Sequence, residues 1–140
     1  MLRALFLFLA VFEVSPACTC VPRTPKQTFC ISQWVAVFKI GDNTSFDINL
    51  TYDATPITIY KRSFGIPQVS VLTKLHTFNQ SSLCGVRNLV KGELYLLSGH
   101  YDNTLKMRMS TCGQFSPWLW GSVPQAVKTA LANGSYLPCP

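Results

Sequence analysis

Cysteine placement constrains this chain more than any other feature. All six cysteines, Cys18, Cys20, Cys30, Cys84, Cys112 and Cys139, lie beyond residue 17, and the first two are separated by a single residue. An even number in a short chain behind a secretion signal reads as a framework of three disulfides, which staples a domain whose core alone is small. Spacing leaves all 15 pairings open. Cysteines one residue apart would close a strained ring if joined to each other, so Cys18 and Cys20 each reach for a distant partner. Two such bridges would make rigid an end that is ordinarily frayed. Fold stability alone is a sufficient reason for staples of this kind.

The first residues read as a targeting segment. Arg3 supplies the positive region, Leu5 to Phe12 the apolar stretch and Ser15-Pro16-Ala17 a small-x-small cleavage site, so residues 1–17 are expected to be a signal peptide removed after Ala17. The apolar run is shorter than the ~20 residues that span a bilayer, Glu13 and Pro16 end it, and no later segment is long enough either. The expected destination is the extracellular space or matrix. Four Asn-x-Ser/Thr sequons, at Asn43, Asn49, Asn79 and Asn133, are candidate glycosylation sites on that route.

With 48% hydrophobic and 13% charged residues over 140 positions, the chain is too apolar for disorder and long enough for one domain, residues 18–140. Lys and Arg number 12 against 6 Asp and Glu, a net charge of +6 that removal of residues 1–17 leaves unchanged. An anionic partner such as matrix polysaccharide fits that balance. The cations are scattered from Arg23 to Lys128 without aromatic interleaving, which argues against nucleic acid. His76 and His100 are the only histidines, no HExxH or GxSxG occurs, and Ser81 and Ser82 read as loop residues, so neither an enzyme nor a metal site of the chain's own is expected.

Thr24-Pro25-Lys26-Gln27 predicts a helix start, with Thr24 as N-cap, Pro25 in the first turn and Gln27 closing a capping box, followed by a short helix through Cys30. Trp34 to Ile40 predicts a buried strand stopped by Gly41-Asp42-Asn43. Phe46 to Tyr52 alternates strictly, which predicts a strand with Phe46, Ile48, Leu50 and Tyr52 on one face. Further strands are expected at Ile57–Lys61, Val69–Thr77, Leu94–Ser98 and Leu105–Met109, with Pro56 at an edge or bulge. Ser122-Val123-Pro124-Gln125 suggests a second capping box, opening a helix with Val123, Val127, Ala130 and Leu131 on its sheet-facing side and Asn133-Gly134 at its end. The expected fold is mainly β with flanking helices: a small, disulfide-stapled barrel of the oligonucleotide/oligosaccharide-binding (OB) type.

Cys18-Thr19-Cys20-Val21-Pro22, Phe29-Cys30, Cys84-Gly85, Tyr95-Leu96-Leu97-Ser98-Gly99, and Cys112 followed by Pro117-Trp118 together resemble the N-terminal domain of the tissue inhibitors of metalloproteinases, from Cys18 to Cys139. The resemblance implies a netrin-like module with disulfides Cys18–Cys84, Cys20–Cys112 and Cys30–Cys139. It also implies a monomeric inhibitor of zinc metalloendopeptidases. The α-amine and carbonyl of Cys18 would chelate a zinc supplied by the target protease, Thr19 would enter the specificity pocket, and Cys20, Val21 and Pro22 would follow along the cleft. Ser82 and Leu83 would form a second contact segment. No cofactor of the chain's own is implied.

Two departures from the family qualify that expectation. Vertebrate members carry a second domain with six more cysteines, whereas this sequence stops just after Cys139. The segment Gly41 to Ser45 between the first two expected strands is short, so the hairpin that widens contact in some relatives is expected to be reduced. The competing expectation is a non-inhibitory netrin-like module that binds extracellular matrix or a receptor.

Overall fold

The computed structural model describes residues 18–62 and 69–140; the expected signal peptide lies outside them. Helix α1 spans Pro25–Ile31 and begins as its sequence dictates. The Gln27 amide donates to Thr24 Oγ1 at 3.2 Å and the Thr24 amide donates to Gln27 Oε1 at 2.9 Å, so the two side chains satisfy each other's orphan donors. Helix α2, Gln125–Asn133, closes on Gly134 at φ +73°, a conformation glycine adopts without strain. It starts without the expected capping box. Ser122 belongs to a 3-10 turn, Trp120–Ser122, and Pro124 stands at the N-cap with no side-chain bond.

Five strands close into a barrel: β1 Trp34–Phe46, β2 Asn49–Arg62, β3 Thr73–Phe78, β4 Leu94–Tyr101 and β5 Met107–Arg108, in the ring order β1-β2-β3-β5-β4. All neighbours are antiparallel except β3 and β5, which run parallel through Leu75 with Met107 and His76 with Arg108. The mainly β barrel with two helices expected from the sequence is the fold observed.

Alternation along β1 explains why residues 34–38 are buried on both sides. Trp34, Ala36, Phe38 and Ile40 point into the barrel with Tyr52, Leu75, Leu97 and Met107. Val35 and Val37 point outward beneath the helices, with Phe29, Leu96, Phe115, Val123, Val127 and Leu131. A short barrel thus supports two apolar layers, which at ~25 cal/mol per Å² of apolar surface are the main stabilising contribution.

The strand boundaries differ from the sequence expectation at one instructive place. Gly41-Asp42-Asn43 does not stop β1; the pairing with β2 slips between Ile40 and Asn43, and the strand continues to Phe46. The one extra residue is absorbed as a bulge, the other use of such a sequence within a strand. The turn falls at Asp47-Ile48, inside the alternating stretch, with Asp47 at φ +56°. Phe46 is 85% exposed, while Leu50 and Tyr52 are buried. An alternation of period two runs through a two-residue turn unbroken, and aspartate tolerates the left-handed region, so nothing in the pattern marks the reversal. Gly41 to Ser45 is accordingly strand and not a connection.

Ile57–Lys61 belongs to β2, and Pro56 sits where the register with β1 shifts again, at the expected bulge. Of the three remaining predicted strands, β4 starts at Leu94 and runs past Ser98 to Tyr101, whereas the other two are shorter than their apolar runs, β3 starting at Thr73 and β5 holding two residues. At the β4–β5 contact Gly99 has no room for a side chain. A Cβ there would stand 2.0 Å from the Arg108 carbonyl oxygen and 2.5 Å from the Trp34 ring.

Candidate functional site

Two disulfides draw three separate segments together at one end of the barrel. Cys18 is bonded to Cys84 and Cys20 to Cys112, with Cα separations of 5.3 and 5.1 Å; Cys30–Cys139 ties α1 to the C-terminal segment. These are the pairings implied by the resemblance. Each sequence-expected contact residue lies at this end. Thr19, Cys20, Val21 and Pro22 are exposed and in no regular element, Cys18 is half-buried, and Ser82 and Leu83 are exposed on a 3-10 turn, Ser81–Leu83, that leads into Cys84. Val21 is 73% exposed, a large apolar side chain left in water on a segment the disulfides hold.

The backbone under this ridge is tightly fixed. Cys84 ends the turn in the left-handed region at φ +56°. A Cβ on Gly85 would stand 1.9 Å from the Phe78 carbonyl oxygen, so glycine alone lets the turn return against β3. The Thr111 amide donates to the Cys84 carbonyl at 2.8 Å, which joins this turn to a second 3-10 turn, Thr111–Gly113, that carries Cys112. On the far side, Arg23 Nη1 donates to the Cys112 carbonyl at 3.0 Å. Residues Cys18 to Arg23 are therefore held at both cysteines and at Arg23, before Thr24 caps α1.

Three sulfurs, of Cys18, Cys20 and Cys112, come within 4.8 Å of one another, the one grouping of metal-ligating atoms among the described residues. All three are oxidised in disulfides, so none offers the thiolate that zinc requires. Titratable side chains with perturbed protonation lie elsewhere. His76 sits on β3, its Nδ1 3.1 Å from Thr51 Oγ1, and burial first, then the cations Lys106 and Arg108, lower its pKa. The Thr104 hydroxyl first, then the Lys106 amide, hold the Asp102 carboxyl well below the usual carboxylate range. Burial lowers Lys61, whose ammonium donates to the Phe29 and Cys30 carbonyls at 2.8 and 3.2 Å and anchors the end of α1.

Of the sequons, Asn43, Asn49 and Asn133 are exposed and Asn79 is half-buried. Asn133 Oδ1 accepts from the amide and the hydroxyl of Ser135 within its own sequon. The structure adds Arg23, Arg87 and Thr111 to the ridge, residues that sequence reasoning passed over. A cavity of about 350 Å³ beside Cys18 is lined by Ser81, Gly85, Arg87, Asn88 and Thr111.

A small barrel whose N-terminal segment is pinned by two long-range disulfides has the architecture of a netrin-like domain. The sequence matches the tissue inhibitor of metalloproteinase family over residues 16–139, and the chain belongs to that family. It is 31% identical to metalloproteinase inhibitor 3 of Scyliorhinus torazame over 76% of this chain and 50% of that protein. Similarity to human metalloproteinase inhibitor 2 is 26% identity over 81% of this chain and 54% of the relative. A putative metalloproteinase inhibitor of Caenorhabditis elegans, tag-225, is 22% identical over 93% of this chain and 94% of its own length. The chain thus spans about half the length of the vertebrate relatives and nearly all of the nematode one.

Proposed function

We propose that this protein is a secreted inhibitor of zinc metalloendopeptidases that acts through a free N-terminal Cys18. The observation that carries the reading is the Cys18–Pro22 segment, exposed from Thr19 onward and held by Cys84 and Cys112 beside Ser82 and Leu83. A catalytic zinc keeps one coordination position for the water it activates. An α-amine and the carbonyl of the same residue form a compact N,O pair that displaces this water.

The amine must be neutral to donate its lone pair, and at an ordinary pKa of ~7.7–8.0 it loses its proton readily near neutrality. Removal of residues 1–17 creates it. Thr19, the next side chain, enters the pocket that the protease uses for substrate recognition, and Val21 and Pro22 lie along the cleft. Rigidity is what makes so short a segment a tight ligand, because its ordering is complete before association.

The test compares the protein beginning at Cys18 with one carrying a single Ala before it, against a panel of matrix metalloproteinases. Inhibition by the first and none by the second is the expected result. No inhibition by either, with folding and disulfides verified, would instead favour a matrix- or receptor-binding module.

A further inference from the structure

We propose that the cavity beside Cys18 is a carboxylate subsite, built around Arg87, that receives an acidic side chain from the rim of the target protease's cleft. This rests on the inhibitor reading, since the occupant arrives only with a protease seated on the ridge. Three features of the cavity support it.

First, its chemistry is that of an anion site. Arg87 is exposed and its Nη1 donates to Ser81 Oγ at 3.0 Å, which holds the guanidinium against the turn that precedes Cys84. Asn88 contributes an exposed amide with no hydrogen-bond partner among the described residues, and Thr111 a hydroxyl that faces Cys84 and the Cys18 sulfur. A planar guanidinium with several donors left over is suited to a bidentate carboxylate.

Second, no acidic group among the described residues is paired with it. The ion pairs among the described residues, Lys74–Asp53, Lys91–Asp42 and Arg108–Asp102, use carboxylates of the strands and the β4–β5 connection, and Arg87 is in none of them. Arg23, on the other flank of the ridge, likewise bonds a carbonyl and not a carboxylate. The neutral residues Thr19 to Pro22 are therefore flanked by two unpaired arginines on a chain of net charge +6, which complements an acidic rim.

Third, the position is fixed relative to Cys18. Cys18 itself lines the cavity, and Gly85 and Thr111 lock the wall opposite. Arg87 and Cys18 thus face the same cavity.

The experiment measures association rates and inhibition constants of wild type, Arg87→Gln, Arg87→Lys and Lys91→Gln at low and high salt. The targets are metalloproteinases with and without an acidic residue at the cleft rim, and one in which that residue is replaced by Lys. Expected is a roughly 10-fold weaker inhibition by Arg87→Gln on acidic-rim proteases only, a flatter salt dependence, and partial recovery in Arg87→Lys. Lys91→Gln, the same charge change away from the ridge, should match wild type. Arg87→Gln inhibiting as well as wild type, or losing no more than Lys91→Gln, overturns the subsite while leaving the inhibitor reading intact. A wild type that inhibits nothing overturns both.

Discussion

The barrel and the ridge are ordered by opposite means. Between Trp34 and Phe38 every side chain is buried, and two strands pair along this segment. From Thr19 to Pro22 every side chain is exposed, and no strand pairs with the segment. The first region holds its shape by removing apolar surface from water, so its side chains are committed to packing. The second holds its shape by covalent bonds to Cys84 and Cys112, which leaves its side chains free to meet a partner. Disulfides here do more than add stability to a small domain; they allow a chain segment to be rigid without being covered.

Mutations that attack each region by its own means should break the comparison cleanly. Trp34→Ala would empty the centre of the barrel, where the indole is fully buried, packs edge-on against Phe38 and donates to the His100 carbonyl at 3.2 Å. The expected loss is about 3–5 kcal/mol of stability, read by denaturant unfolding. The inhibition constant per folded molecule should stay near that of wild type. A large change in it would mean that the ridge depends on the barrel's packing and not on its staples alone.

The paired change Cys20→Ala with Cys112→Ala cuts the ridge's own constraint. A bridge spanning 92 residues is worth about 2–5 kcal/mol through the unfolded chain. Its removal should also weaken inhibition far more than an equal destabilisation placed in the barrel. Loss of inhibition only in proportion to loss of folded protein would show that Cys18–Cys84 by itself positions the terminus. Thr19→Gly sharpens the contrast further. An exposed side chain with no packing role should leave stability within about 0.5 kcal/mol, while inhibition weakens by roughly 10-fold if the threonine fills a protease pocket. Unchanged inhibition across several proteases would remove Thr19 from the interface.

The two regions also differ in how much of them the sequence discloses. Thr24 and Gln27 announce α1 because a capping box is local, made within four residues. Val127 and Leu131 announce α2's buried face by their spacing alone, with Val123 packed beside them just ahead of the helix. The hairpin reversal at Asp47-Ile48 is hidden by an alternation that continues through it. The companions of the ridge are hidden for a different reason: Arg23 meets Cys112 across 89 residues, and Arg87 acquires its meaning only when Cys84 is tied to Cys18. Scattered cations carry no pattern in one dimension, and the disulfides turn some of them into neighbours.

The smallest effect expected is a pH dependence confined to the barrel. Burial and the cations Lys106, Arg108 and Lys74 lower the pKa of His76 from its ordinary 6.5, so the folded state takes up a proton less readily than the unfolded chain. Between the folded and unfolded values the unfolded state binds more protons, and stability therefore rises with pH across that window. The contribution is present above about pH 6.5 and is lost as the pH falls through the folded value. Asp102, whose carboxyl is held low, acts at lower pH than His76. His76→Gln should flatten the decline in unfolding midpoint from pH 7 to pH 5 without altering inhibition at pH 7.5. An unchanged decline would assign it to other groups, and altered inhibition would mean that His76 acts on the ridge through the contact of Gly85 with β3.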